Sequence, residues 1–134
     1  MPNDTVSVTL RRASDVAYAR QAAMQTMAAI GASSIKKTKF VTAVSEIARN
    51  AVLYGRGGVI TFEIVGSGPR RSVVAECMDR GPGIADVALA LTEGYSTGSG
   101  LGLGLSGAKR LVDRFEIASS ALTGTTVTME CFAR

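Results

Sequence analysis

Asp79-Arg80-Gly81-Pro82-Gly83-Ile84, followed by Gly98-Ser99-Gly100-Leu101-Gly102-Leu103-Gly104-Leu105, is the stretch whose reading decides the fold. Glycine takes backbone angles closed to other residues and lets a ligand approach the main chain. Two glycine clusters bracketing a short helix therefore predict a loop wrapped around a ligand, and a triphosphate suits it best. Backbone N–H groups of the second cluster, with the positive end of a helix expected to start near Gly102, make an anion site that needs no side-chain charge. Asp79 ends an apolar run, where its carboxylate can accept a hydrogen bond from an exocyclic amine, the contact that separates adenine from guanine. Ordinary turns between strands and helices also use glycine, so the flanking chain has to decide.

Upstream, Thr5 to Leu10 alternates apolar and polar residues, the period of a strand with one covered face. From Ser14, the expected N-cap, the period becomes helical: Val16, Ala19, Ala23, Met27 and Ile30 recur until Gly31 stops the helix. Ser33 or Ser34 caps a second, longer helix with an apolar stripe of Phe40, Val44, Ile47 and Ala51, ending at Tyr54 before a turn over Gly55 to Gly58. Val59 to Val65, a turn over Gly66 to Pro69, and Ser72 to Met78 read as a hairpin, which places Asp79 at a strand end. Downstream, Asp86 caps a short helix through Leu91, and Glu93 to Gly100 suits a mobile lid. A helix over Gly102 to Val112 follows. Phe115 to Ala118 and Thr125 to Phe132 then close the chain as antiparallel strands around Leu122-Thr123-Gly124. The expected architecture is α+β, a two-layer sandwich with a mixed, mainly antiparallel sheet and helices on one face, in a single domain over residues 1–134.

With 134 residues, the chain has length for one core and none for a second catalytic domain. Apolar content of 46% against 19% charged residues indicates a folded protein rather than a disordered one. The formal charge of +4 is ordinary solubilising charge: basic residues do not interleave with aromatics, and no nucleic-acid signature occurs, so nucleic acid is not an expected partner. Neither a signal peptide nor an apolar run of roughly 20 residues is visible, so a cytoplasmic protein without a membrane partner is expected. Cys77 and Cys131 lack metal-ligand spacing and read as reduced core residues. The absence of histidine excludes Ser-His-Asp and Cys-His catalysis within the chain.

On the second helix Glu46 and Asn50 stand four residues apart, hence on one face, with Arg49 near Glu46. Asn50 can give Mg²⁺ one hard oxygen while phosphate oxygens and water supply the rest. Glu46 can accept a proton from an attacking hydroxyl. Phosphoryl transfer asks the protein mainly to position groups and neutralise charge, so one base, one metal and a phosphate-holding loop suffice. Polar residues four apart are also commonplace on a solvated helix face, and the pair alone decides nothing.

The ordered set decides. Glu46/Asn50, Asp79-x-Gly-x-Gly, the second glycine cluster and Gly124-Thr125 resemble, in order and spacing, the motifs of the GHKL (Bergerat) ATP-binding fold of Hsp90, type II topoisomerases, MutL and sensor histidine kinases. More closely, Glu46-Ile47-Ala48-Arg49-Asn50-Ala51-Val52-Leu53-Tyr54-Gly55 and the run from Gly94 through Tyr95, Ser96 and Thr97 to Leu105 are similar to the small anti-sigma-factor serine kinases, nearest to the RsbT-like switch kinases of bacterial stress signalling. The resemblance spans nearly the whole chain. It implies Glu46 as general base, Asn50 as the Mg²⁺ ligand, and Asp79 as acceptor of the adenine amine, with Gly81, Gly83 and Ile84 shaping the pocket. Thr97, Gly98, Ser99, Gly100, Leu101, Gly102, Leu103 and Gly104 then form the lid and its phosphate-holding hinge, and Thr125 reaches adenine through water. Arg80 stands where many members carry a smaller polar residue, and Ser106 where the nearest kinases often have proline; neither change removes a ligand or base.

The resemblance also implies partners: a STAS-domain antagonist protein as substrate, and a PPM-type phosphatase that the free kinase activates by binding. The competing readings are an anti-sigma factor that sequesters a sigma factor, and an ATP-binding adaptor without catalysis; the retained Glu46 argues against the latter. A detached histidine-kinase catalytic domain does not fit a chain with no histidine, and neither a P-loop Gly-Lys-Ser/Thr nor an Asp-Phe-Gly triplet occurs.

Overall fold

The computed structural model describes residues 5–83 and 104–134. The period-two start forms β1 (Thr5–Leu10), which pairs antiparallel with β2 (Gly58–Val65), Val8 opposite Ile60. β2 turns through a short 3-10 segment into β3 (Ser72–Asp79), and β4 (Arg114–Ser120) turns into β5 (Gly124–Phe132). The five strands lie in the order β1-β2-β3-β5-β4, and every pairing among the described residues is antiparallel, with no parallel component to make the sheet mixed. β3 and β5, distant in sequence, are central neighbours, with Met78 opposite Thr126, which brings Asp79 level with Thr125.

Strand parity divides the sheet. Ile60 and Phe62 of β2, Val73, Ala75 and Cys77 of β3, and Val127, Met129 and Cys131 of β5 are buried on one face under the helices, and both cysteines are core residues as expected. The alternate residues, Val59, Thr61, Glu76, Met78, Thr126 and Thr128 among them, look the other way and are at least partly exposed. α1 (Asp15–Ala29) buries Met27 and the small side chains of Ala19, Ala22 and Ala23 and packs against α2 (Ser34–Leu53). α2 seats Phe40, Val44, Ile47 and Ala51 on the sheet, where the Phe40 and Phe62 rings meet edge to face at 6.4 Å.

Helix starts depart from expectation at two points, the Ser14 cap and the start of α3, for identifiable reasons. Ser14 makes no side-chain cap; instead the Asp15 carboxylate accepts from the Arg11 and Arg12 backbone N–H groups and fastens the turn from outside. Of the two serines offered for α2, Ser33 is the cap, its hydroxyl accepting from Lys36 N. The third described helix, α3 (Leu105–Leu111), begins at Leu105 rather than near Gly102, because Gly104 at φ +80° is left-handed and cannot continue a right-handed helix. The expected helix from Asp86 to Leu91 and the lid over 93–100 lie outside the described residues.

A long-range tie closes the helical layer onto the sheet. Asp113, between α3 and β4, accepts from Lys36 Nζ of α2 at 2.7 Å and from Phe132 N of β5 at 2.7 Å. Burial pulls this carboxyl upward, but the Lys36 and Phe132 hydrogen bonds together outweigh it and hold Asp113 below its ordinary value. A depressed folded-state value gives stability that is present above the unfolded value near 4 and lost as pH falls through the folded one. Asp113→Asn is therefore expected to lower the urea midpoint at pH 7 and to lose that difference from the parent as pH falls below the ordinary aspartate range, as urea titrations from pH 7 downward will measure.

Candidate nucleotide site

Three elements converge at the C-terminal end of α2. Residues one helical turn apart on α2 share a face, so Asn50 is flanked by Ile47, Ala51 and Tyr54 along one wall of a pocket. The opposite wall comes from strand parity: Cys77 and Asp79 on β3, Thr125 and Val127 on β5. Leu105, at the start of α3, and Gly83 contribute the remaining edges. The lining is mostly apolar with a few polar groups, the usual composition of a site for a flat heterocycle.

Asp79 is the best-defined polar group. Its Oδ1 accepts from Gly81 N at 2.9 Å and from Thr125 N at 3.1 Å, so two elements hold the carboxylate in one orientation. Oδ2 has no hydrogen bond among the described residues and remains to accept from a ligand. The close fit around it requires glycine: a Cβ on Gly55 would sit 2.5 Å from Asp79 Cγ, and one on Gly81 would sit 2.6 Å from Gly55 Cα. Beneath it, Thr125 is buried and its Oγ1 lies 2.7 Å from Ser119 Oγ, so one hydroxyl donates to the other and the direction of the threonine hydroxyl is fixed.

Glu46 stands one turn before Asn50, outside the apolar pocket. Arg49 Nη1 lies 3.3 Å from Glu46 Oε1, an exposed pair worth little energetically but enough to bias the rotamer. Gly104 packs directly on the Glu46 carboxylate, so close that a Cβ there would collide with it. The glutamate therefore stands where the second glycine cluster enters α3.

Of the residues expected from sequence, Asn50, Asp79, Gly83 and Thr125 meet in one pocket, Gly81 supports Asp79 from behind, and Glu46 and Gly104 form a neighbouring corner. Ile84, Thr97, Gly98, Ser99, Gly100, Leu101, Gly102 and Leu103 lie outside the described residues. Sequence reasoning missed Cys77 and Val127 as lining residues, although counting back by two from Asp79 and forward by two from Thr125 would have found them. Ser119 was missed as well; only the register pairing it with Thr125 reveals it.

Cys77 is a neutral wall of this pocket. Burial, with a smaller push from the Asp79 charge, raises its thiol to about 12. At pH 8, iodoacetamide is expected to alkylate it at least about 10³-fold more slowly than a free cysteine, because the thiolate is the reactive form. Mass-spectrometric labelling with and without urea measures this.

The donor set fits adenosine triphosphate and a magnesium ion. Asp79 presents an oriented acceptor beside an apolar slot. Among the described residues no group of three or more His, Cys, Asp or Glu is arranged for a metal, and Asn50 on the pocket wall is the residue that would offer an ion an oxygen.

A family model described as histidine kinase-, DNA gyrase B-, and HSP90-like ATPase matches residues 35–133. The chain belongs to this family of ATPases. It is also 36% identical over 125 residues to the serine/threonine-protein kinase RsbT of Bacillus subtilis (strain 168), a match covering 93% of this chain and 94% of that protein. Among the described residues no helix is long and apolar enough to cross a membrane.

Proposed function

We propose that this chain is a serine/threonine protein kinase that moves the γ-phosphate of ATP onto a STAS-domain antagonist protein in a bacterial partner switch, and that it binds and activates a PPM-type phosphatase. The observation that carries the reading is the Glu46 carboxylate set against Gly104, one turn from Asn50, with the mostly apolar pocket of Asp79 and Thr125 beside it. The likeness to the Bacillus subtilis kinase along nearly the whole of both chains supports it.

Asp79 Oδ2 accepts from the adenine amine while the Cys77, Val127 and Ile47 walls exclude water from the ring. Asn50 lends its side-chain oxygen to Mg²⁺, which supplies charge neutralisation for the phosphates when bound. Glu46 takes the proton of the partner's serine or threonine hydroxyl as that oxygen bonds to the γ-phosphorus and the bond to the β-phosphate oxygen breaks, leaving ADP and a phosphorylated partner. Arg49 and the backbone at Gly104 hold the carboxylate in place, so no rearrangement of the base is needed at the moment of transfer.

Ser119 acts through Thr125. Ser119→Ala frees the threonine hydroxyl to turn, and is expected to weaken ATP affinity about 2- to 10-fold, the worth of one neutral hydrogen bond, with the transfer rate at saturating ATP unchanged. Calorimetric titration with a non-hydrolysable ATP analogue, beside single-turnover transfer, separates the two. The kinase reading is tested by incubating the purified chain with Mg-ATP and a STAS-domain protein from the same source: the STAS protein gains one phosphate. Bound ATP with no transfer contradicts it.

A further inference from the structure

At the loop end of the sheet two hollows share one rim. The first, about 450 Å³, runs over the open face between Arg11, Arg56 and Arg80, with Val59 and Met78 as its floor. The second lies beyond it, between Arg56, Arg80 and the β4–β5 turn, where Leu122 is 96% exposed. Val59 is 39% and Met78 52% exposed, so three apolar side chains stand at least partly in solvent among three cations.

None of the three arginines forms an ion pair among the described residues. Asp79, the nearest carboxylate in sequence to Arg80, is turned inward onto backbone N–H groups. Asp15 faces Arg11 and Arg12 and tempers the charge there, which leaves Arg56 and Arg80 as the uncompensated pair. Arg56 is moreover left-handed at φ +59°, the only described non-glycine residue with positive φ, between Gly55 and Gly57. A glycine would sit there without strain, so the backbone gains nothing from arginine at that position. Further along the open face the sign reverses: Glu76 faces Thr61 and Thr128 in one cross-strand row, Glu63 and Glu130 stand in the next, and among the described residues Glu130 alone of these has an ion-pair partner, Arg114. An acidic partner is repelled from the middle of the sheet and attracted to its loop end. The Glu46 corner lies on the helix-covered side, away from this surface.

We infer that the loop end of the open sheet face, with Arg56 and Arg80 framing Val59, Met78 and Leu122, docks an acidic, apolar-tipped segment of a protein partner other than the phosphate acceptor. This rests on the partner-switch reading above and specifies a surface for its second partner. Charge complementarity selects the segment, and the exposed apolar trio retains it.

The test measures the affinity of the purified PPM-type phosphatase from the same source for the parent chain and for Arg56→Glu/Arg80→Glu, with transfer to the STAS protein as a parallel readout. The double variant is expected to bind the phosphatase about tenfold or more weakly and to transfer phosphate within about twofold of the parent. Arg56→Gly is expected to raise the thermal midpoint while weakening phosphatase binding, a combination that a purely structural arginine does not produce. Unchanged phosphatase affinity in the double variant overturns the inference, as does selective loss of transfer, which would give the surface to the substrate. A parent that transfers phosphate but never binds the phosphatase also overturns it and spares the kinase reading. A parent that binds through Arg56 and Arg80 yet transfers nothing upholds the surface and removes the kinase.

Discussion

Glu46→Gln is expected to lower the rate of phosphate transfer by about 10²- to 10⁴-fold, the range for a lost general base, while ATP affinity stays within about twofold. The amide keeps the shape of the side chain and its contact with Gly104, and it cannot take the hydroxyl proton. Because Glu46 lies outside the apolar pocket, on the α2 turn before Asn50, the substitution leaves the adenine contacts alone. The split matters more than the size of the loss: a fall in affinity matching the fall in rate would make Glu46 a binding residue, and normal single-turnover transfer would remove it from the mechanism.

The second large effect belongs to Asp79. Asp79→Ala removes the carboxylate proposed to accept from the adenine amine and also leaves the N–H groups of Gly81 and Thr125 without their partner. ATP affinity is expected to fall about 10²-fold or more, and stability by about 1–3 kcal/mol, the cost of stranding part-buried donors. Asp79→Asn separates the two roles. Its amide oxygen can still accept from both backbone groups, so the urea midpoint stays near that of the parent, while its NH₂ faces the adenine amine donor to donor and ATP affinity falls as in the alanine variant. ATP binding by Asp79→Ala at parental strength would show that the carboxylate is a backbone brace alone.

The fold was legible where one period governs one element. The i, i+4, i+7 stripe of Phe40, Val44, Ile47 and Ala51 carries its own burial pattern, because that face meets a single environment, and the alternation of Thr5–Leu10 marks a strand although Leu10 alone of its apolar residues is fully buried. The place of Asp79 at the mouth of a pocket was legible because it ends an apolar strand and opens a glycine cluster. What the sequence withheld are contacts between separate elements. That Gly55 must lack a side chain to admit the Asp79 carboxylate depends on how α2 docks against β3, and no local pattern encodes it. Ser119 looks like any polar edge-strand residue until the β4–β5 register sets it opposite Thr125. Arg56 reads as a solvated turn residue; its left-handed backbone and its place between two hollows are properties of the folded turn. The unused Ser14 cap and the later start of α3 have the same origin, since Asp15 reaching back and Gly104 turning left-handed each replace what sequence alone would favour.

The central claim is that this ATPase-family chain spends its nucleotide on a protein hydroxyl. The most direct measurement follows γ-labelled phosphate from Mg-ATP onto a purified STAS-domain protein from the same source, with the Glu46→Gln chain in parallel and the labelled residue mapped by mass spectrometry. Label is expected on one serine or threonine of the STAS protein with the parent, and near absence of label with the variant. ATP bound at full strength with no label transferred, or equal transfer by both chains, would contradict it.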